Sequence, residues 1–532
     1  MRTLLLRDMN SFKMKPLLAA VALTLVTAGC GVESGKPQSL ESPKAAVAAN
    51  PLAVLLAYQG GTNRTDTEIR QRQEQIRAGK QPDIALERLG WLFVAKARES
   101  FDAGYFKLAE HCALALDARQ PNSAEALLLR GHVLQNLHRF AESEVVAREL
   151  VAARGLAFDY GVLGDALMEQ GKLDEAIAAY QQMADLKPDS QAATRAAHIR
   201  WLKGDLAGAI EMMQLAANAV SAREPENAAW VFTRLAVYQF QAAGENLLNA
   251  RPHPGPLPRG EGESSSASSE IVSGSSGGSL TSKKETPTVI PSLGGEGQGE
   301  GGRSNTLPDF TEAERNCEAA LTLCSNYPPA LLLSGKMLMA QNRFSEAVEA
   351  LRVAEKQNPL PEYQWALADA LDTAGRNSEA REVEVKLRRF GASADPRSFA
   401  LFLATRGDKS DTALRLAHEE LTTRADVFTH DALAWSQLGS GNIAVAQESM
   451  ERALSAGTQD ARLFFHAATI AARAGQTSVA ENYFQKSRAL VHLLLPSERK
   501  QLYTVAAQLT ESRAVATSGV DQEQSSAGGK TF

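Results

Sequence analysis

The stretch from Gly171 to Ser190 reads GKLDEAIAAYQQMADLKPDS, and it decides the fold. A small residue, Ala176, stands five positions after the opening glycine, and Pro188 follows twelve positions later. Similar frames begin at Gly104 and Asn342. The small residue recurs at intervals of 33 or 34 residues in two series, which one interval of 104 residues separates: Ala109, Ser143, Ala176 and Ala209, then Ala313, Ala347, Ala380, Ala413, Ala446 and Ala480.

Each unit of this pattern predicts two amphipathic helices joined by a tight turn. The small residue on the second helix lets the two helices approach closely. Glycines, which adopt positive φ at little cost, are predicted at the turn: Gly104, Gly171, Gly204, Gly244, Gly375, Gly441 and Gly475. Because one hairpin cannot bury its apolar face alone, neighbouring hairpins must stack. The predicted fold class is therefore all-α, an α-solenoid of about ten helical hairpins.

The pattern resembles the tetratricopeptide repeat family. The unit with the best match carries the family's motif residues in order: Tyr160, Leu163, Gly164, Leu167, Ala176, Tyr180 and Pro188. Other units depart from the motif, as at Arg130 and Glu384. The resemblance covers about 90–244 and 310–490, and helical segments at 66–79 and 496–510 are predicted to cap the two ends.

The interval of 104 residues contains an insertion in the fifth repeat. Residues 251–300 hold 10 Gly, 11 Ser and 6 Pro and lack Phe, Trp and Tyr. Such a composition cannot bury a core, so the segment is expected to be disordered and without a catalytic role. It separates a first helix at about 226–243 from a second helix at about 310–323.

The amino terminus predicts export. From Met14 to Cys30 the sequence is MKPLLAAVALTLVTAGC, in which a lysine precedes an apolar run too short to span a bilayer. The ending Thr27–Cys30 resembles the bacterial lipobox, which implies lipidation of Cys30, although Thr27 stands where the family prefers Leu. Met14 is expected to be the true start. The alternative is an ordinary cleaved signal with an incidental cysteine. The expected location is the bacterial cell envelope, with the protein secreted across the inner membrane and anchored by lipid.

Six parts follow from these patterns. They are a signal peptide (1–30), a polar tether (31–65), the N-terminal cap with repeats 1–5 up to the first helix of repeat 5 (66–244), the disordered insertion (245–309), the remaining repeats to repeat 10 with a C-terminal capping helix (310–510), and a disordered tail (511–532).

Composition limits the classes of function. The 532 residues carry a net charge of −6, which argues against nucleic acid as the main partner. Four cysteines and nine histidines without metal-ligand spacing predict neither a metal site nor a cofactor. Cys112, Cys317 and Cys324 are predicted to be buried structural thiols rather than redox or metal groups.

Three catalytic signatures lie in unsuitable surroundings. A G-x-S-x-G match at 274–278 and a G-x-G-x-x-G match at 297–302 fall inside the insertion, where the required strand and helix are not predicted. The sequence Gly-Lys-Thr at 529–531 lacks the first glycine of a phosphate loop, since Gln524 stands there. We therefore expect no catalytic residues.

The first helices of such a superhelix line its concave face. Helical register places eleven candidate partner-binding residues there: His132, Gln135, Asp165, His198, Trp201, Arg234, Tyr238, Lys336, Trp365, Asp369 and Trp435. Trp, Tyr and Arg dominate interface hot spots. The alternative for Trp201 and Trp365 is ordinary packing between helices.

The sequence thus predicts a non-catalytic scaffold that binds a protein or peptide partner at the envelope. A second possibility is an accessory subunit of an envelope transport or assembly complex. An enzyme is the least supported class, because it would need a separate catalytic domain.

Overall fold

The computed structural model describes residues 51–249, 308–408 and 410–510, and every regular element in these ranges is helical. The signal and lipobox, most of the tether, residues 250–307 of the insertion, the tail and the three accidental motifs lie outside the described residues. The α-helices are α1 (Pro51–Leu55), α2 (Arg64–Arg77), α3 (Pro82–Ser100), α4 (Gly104–Arg119), α5 (Ala124–Asn136), α6 (Phe140–Ala153), α7 (Ala157–Glu169), α8 (Leu173–Leu186), α9 (Ser190–Leu202), α10 (Leu206–Ala219), α11 (Pro225–Asn249), α12 (Thr311–Leu323), α13 (Pro328–Ala340), α14 (Phe344–Gln357), α15 (Pro361–Thr373), α16 (Asn377–Ala394), α17 (Pro396–Arg406), α18 (Ser410–Leu421), α19 (Val427–Gly439), α20 (Ile443–Leu454), α21 (Ala461–Arg473) and α22 (Thr477–Ala489), followed by a 3-10 turn, Val491–Leu493, and helical residues 496–510.

Helices α3 to α22 pack as ten consecutive hairpins, from α3/α4 to α21/α22. The predicted small residue lies near the start of each second helix and is buried in all ten hairpins, with Ala380 the most exposed at 6%. Larger side chains at these positions would separate the paired helices. The α-solenoid prediction is confirmed.

In the nine hairpins whose turns the structure describes, the turn passes through a left-handed residue. Five of the predicted glycines have positive φ there: Gly171, Gly204, Gly375, Gly441 and Gly475. Two predictions were wrong, because Gly104 begins α4 and Gly244 lies within α11. In the turn before α4 the left-handed residue is Phe101, while His138 and Asn342 take this role in two other hairpins.

The fifth hairpin forms between α11 and α12 although the insertion separates them in sequence. Phe240 and Phe310 pack edge to face with ring centroids 5.0 Å apart. Ala236, Ala313 and Cys317 are buried in the same cluster. The packing therefore depends on side chains of the two helices themselves.

The solenoid has additional packing at both ends. Leu55 of α1 lies in the predicted tether, yet it is fully buried in a cluster with Ile69 of α2 and Phe93 of α3. At the other end, residues 496–510 bury Leu502 and Leu509 in the C-terminal core. Within the described residues, no helix is both long and apolar enough to cross a membrane.

The superhelix also closes on itself through contacts that we call the clasp, which joins residues 169–171 and 201–204 to residues 424–428 and 457–458. The backbone N–H of Ala425 donates to the carbonyl of Glu169 at 2.9 Å. The hydroxyl of Thr458 donates to the carbonyl of Leu202 at 2.7 Å. Repeats far apart in sequence are thereby in direct contact.

Candidate functional site

A cavity of about 860 Å³ lies on the inner surface of the first five repeats. It is called the groove below. Its walls come from α3, α5, α7, α9 and α11, which are the first helices of five successive hairpins. Arg424, from the loop between α18 and α19, adds a wall from across the clasp. The groove is therefore the concave face that the repeat register predicts.

Aromatic rings line the groove. Trp91 lies 5.4 Å from the His132 ring, and His132 lies 6.4 Å from Phe158, measured between ring centroids. Trp230 is 39% exposed, which is unusual for this residue type, and it also faces the groove. Partly exposed tryptophan offers a large apolar contact surface to a partner.

Most charges of the groove are paired within the chain. Arg195 binds the Asp165 carboxylate at 2.6 Å, and the Tyr180 hydroxyl donates to the same carboxylate at 2.8 Å. Arg424 pairs with Glu169 at 2.6 Å, although burial raises the pKa of the Glu169 carboxyl. These pairs fix the shape of the groove rather than leave its charges free.

Arg98 differs from these paired residues. Its Nη2 lies 3.1 Å from Nε2 of His132, and among the described residues no carboxylate lies within 4 Å of its guanidinium. Burial and the nearby Arg98 and Arg195 lower the pKa of His132 to about 3. Because a guanidinium can only donate, Nε2 of neutral His132 accepts this hydrogen bond. Arg98 thus keeps donors available to a partner.

A smaller cavity of about 310 Å³ shares Asp165, Arg195 and Trp230 with the groove. The predicted residues His198, Arg234 and Tyr238 line it. Four of the predicted residues contact one another here: the Trp201 ring lies 5.4 Å from His198 and 5.8 Å from Tyr238, and Arg234 stacks on Tyr238 at 5.3 Å. Trp201 also stacks on Phe428 of the clasp at 5.5 Å, which is consistent with the packing alternative.

Five of the predicted residues line the groove or this adjoining cavity, where Asp165 is already paired with Arg195 and Tyr180. Gln135 also lines the groove and donates to the carbonyl of Val162 at 2.6 Å. Lys336 lies apart, in a third cavity, where it binds Glu362 at 2.7 Å. The five residues are His132, Asp165, His198, Arg234 and Tyr238.

The remaining three predicted residues, Trp365, Asp369 and Trp435, are not brought into the groove. Trp365 donates to Ser497 at 3.2 Å, and Asp369 accepts from Arg406 and from the backbone N–H of Ser497, both at 2.8 Å. Trp435 donates to Thr405 at 3.1 Å. Helical residues 496–510 and α17 cover these side chains, so in this structure they pack within the C-terminal half.

Sequence reasoning missed several residues of the groove. Trp230 stands four positions before Arg234 on the same face of α11, so the helical period contained the signal. Trp91, Arg98 and Arg195 occupy similar inward positions on α3 and α9. Arg424 had no local signal, since the superhelical closure alone brings it to the groove.

No catalytic arrangement is evident in the part of the chain that the structure describes. This part holds no cluster of three or more metal-ligating side chains. Cys112 and Cys317 are buried as predicted and Cys324 is partly exposed; burial raises the pKa of all three thiols, which disfavours the reactive thiolate.

Stacked hairpins with an inner groove define a helical-repeat scaffold. The family model described as tetratricopeptide repeat matches residues 162–228, 332–394 and 432–490. These three segments therefore carry tetratricopeptide repeats, and such repeats support a role as a protein-interaction scaffold.

Solved structures with similarity to the chain share little sequence with it. The human IFIT1 dimer with PPP-AAAA is 13% identical, with coverage of 70% of this chain and 73% of that chain and a TM-score of 0.40. Yeast Tom70 is 13% identical, with coverage of 84% and 92% and a TM-score of 0.29. The APC/C hetero-tetramer Cut9–Hcn1 is 12% identical, with coverage of 86% and 98% and a TM-score of 0.26. No curated protein matches the sequence.

Proposed function

We propose that this protein is a non-catalytic scaffold that binds an extended segment of a partner protein in the groove. The observation that carries the proposal is the exposed Trp230 in a cavity that five successive first helices build. An aromatic anchor inside a concave, largely preformed surface is the usual centre of a protein interface.

The chemistry of the groove favours a peptide with both apolar and acidic groups. Trp91, Phe158 and Trp230 offer apolar surface, and Arg98 offers guanidinium donors without a carboxylate partner among the described residues. An acidic side chain next to an aliphatic or aromatic one would satisfy both features. The net charge of −6 favours protein over nucleic acid as the ligand.

We also propose that the scaffold works at the bacterial envelope. The pattern from Met14 to Cys30 supports lipidation at Cys30, and acyl chains of about 0.8 kcal/mol per buried methylene would hold the solenoid at a membrane. Replacement of Cys30 by Ala should abolish incorporation of labelled palmitate and release the protein from the membrane fraction. Unchanged labelling of the Cys30→Ala variant would contradict lipidation at Cys30.

Photo-crosslinking tests the groove. Benzoylphenylalanine in place of Trp230 should crosslink to a protein partner in envelope fractions, and the product should survive nuclease and be lost after protease treatment. The matched control is the same residue in place of Phe390, which is 52% exposed on the second helix α16. Equal crosslinking at both positions, or a nuclease-sensitive product, would refute a protein site in the groove.

A further inference from the structure

A separate cavity of about 340 Å³ lies where the C-terminal repeat packs back against the middle repeats, and we call it the inner cavity. Its walls come from α9 and α11 on one side, and from α13, α15, α21 and residues 493–498 on the other. Leu332, Leu333, Phe240 and Leu494 give it apolar surface. Its volume lies near the lower end of small-ligand pockets, which span about 300–1,000 Å³.

Nearly all charges in the inner cavity are matched. Lys336 binds Glu362 at 2.7 Å, and Arg462 binds Glu498 at 2.5 Å. Asp460 caps α21 by accepting from the backbone N–H groups of Arg462 and Leu463. These contacts leave one cation, Arg234, for which no carboxylate lies within 4 Å among the described residues.

Arg234 is held in place without being neutralised. Its Nη2 lies 3.3 Å from the Tyr238 hydroxyl, and its guanidinium stacks over the Tyr238 ring. Arg234, Tyr238 and Gln241 follow one another at helical spacing along one face of α11. A single fixed and unmatched guanidinium favours a ligand with one negative charge.

Two further polar atoms at this cavity have no hydrogen-bond partner in the described structure. Nε1–H of Trp201 is a donor and Oε1 of Gln241 is an acceptor, on side chains that are only 9% and 6% exposed. Buried groups of this kind are nearly always satisfied in folded proteins, so each one calls for an explanation. A ligand with one acceptor and one donor would supply both partners.

We propose that the inner cavity binds a small monocarboxylate with a neighbouring N–H group, the chemistry shared by a free apolar amino acid and the C-terminal residue of a peptide. The carboxylate accepts from Arg234 and Trp201, the N–H donates to Gln241, and the apolar side chain contacts the leucines. This site is distinct from the groove and does not depend on the proposed protein partner.

Calorimetric titration of the full chain tests the site with L-leucine, glycyl-L-leucine and glycyl-L-leucinamide. At least one of the two acids should bind, and the amide should bind about tenfold more weakly or worse, because it lacks the negative charge. Stronger binding of L-leucine would identify a free amino acid as the source, and stronger binding of the dipeptide would identify a chain end. Failure of both acids, or equal binding of acid and amide, would overturn the proposal.

Two substitutions locate the binding. Arg234→Gln removes the charge, and Trp201→Phe removes only the N–H donor while it keeps an aromatic ring, so each should weaken binding of the acid by about tenfold. Arg415→Gln, at an exposed Arg–Glu pair on α18, is the control and should leave binding unchanged. Acid binding that both cavity variants retain, with thermal transitions like that of the original chain, would contradict the site. Trp230 does not line this cavity, so crosslinking at Trp230 tests the groove independently of this site.

Discussion

His132 shows how single residues of the groove depend on their surroundings. Its ring lies between Trp91 and Phe158, and its Nε2 accepts from Arg98. Burial, together with the positive charges of Arg98 and Arg195, lowers its pKa to about 3. The ring is therefore neutral in the folded protein at pH values where an unfolded histidine already gains a proton.

This difference predicts a loss of stability in acid. Between pH 6.5 and about 3 the unfolded chain binds a proton that folded His132 does not bind, so the contribution of this group falls as pH falls through that window. The full pKa difference would lower the free energy of unfolding by about 2 kcal/mol between pH 7 and pH 5. Because the ring is partly open to the groove, we expect a loss of about 1 kcal/mol. Urea unfolding at pH 7 and pH 5 should show a smaller loss for His132→Gln than for the original chain.

The exposed His418 supplies the control for this measurement. His418→Gln should leave the pH dependence as it is in the original chain. If His132→Gln loses as much stability between pH 7 and pH 5 as the His418 variant does, the lowered pKa of His132 is contradicted.

Side-chain register explains which site residues the sequence could predict. His132 and Asp165 lie on first helices whose apolar residues recur at the helical period. This period predicts from the sequence which side chains face inward. Trp365 and Trp435 occupy equivalent registers, yet Ser497 and Thr405 bond to them inside the chain. The covering segment 496–510 lies outside the repeat period, so no repeat rule could predict what it buries.

At the scale of elements, the hairpins were predictable and some of their turns were not. One small residue for each hairpin fixes the closest approach of the two helices, and its period is strict in the sequence. The left-handed turn position is less strict, because the sterically costly φ is taken by His138 and Asn342 as well as by glycine. Helix pairing therefore follows from packing, and the turn residue adapts to it.

The fifth hairpin gives an element-scale prediction. Since α11 and α12 pack through Phe240, Phe310 and Ala313, the chain between them is not needed for their association. Replacement of residues 250–307 by a short Gly/Ser linker should leave the helical circular dichroism and the midpoint of thermal unfolding unchanged or slightly raised, because a shorter loop costs less entropy.

A double alanine variant of Phe240 and Phe310 in the shortened chain is the comparison. This variant should lower the midpoint of thermal unfolding, because loss of a large buried aromatic side chain reduces the free energy of unfolding by about 3–5 kcal/mol. A shortened chain that fails to fold would show that the segment contributes to the hairpin.

At the scale of the whole molecule, closure of the superhelix decides what the concave surface can contact. The clasp sets Arg424 at the end of the groove, and His492 donates from Nε2 to the carbonyl of Phe240 at 2.8 Å beside the inner cavity. These contacts join residues about 250 positions apart, with the insertion between them. The small rotation from one repeat to the next determines which turns meet, and such rotations accumulate without any sequence signal.

A glycine of the clasp and a glycine outside it make the closure testable. Gly171 and Gly375 occupy equivalent hairpin turns, with φ of 73° and 77°. A Cβ at Gly171 would lie closer than 3.0 Å to the carbonyl oxygen of Ala425, whereas a Cβ at Gly375 would meet no atom within 4 Å. Both substitutions by alanine carry the left-handed penalty of about 1–2 kcal/mol, but only Gly171→Ala also displaces backbone across the clasp.

We therefore expect Gly171→Ala to lower the free energy of unfolding by about 1–2 kcal/mol more than Gly375→Ala, since it also disturbs the hydrogen bond from Ala425 to Glu169. Small-angle scattering should give a larger radius of gyration for the Gly171 variant alone, because the two halves separate when the clasp opens. Equal destabilisation and equal size of the two variants would mean that the closed superhelix does not persist in solution, and the groove would then lack its Arg424 wall.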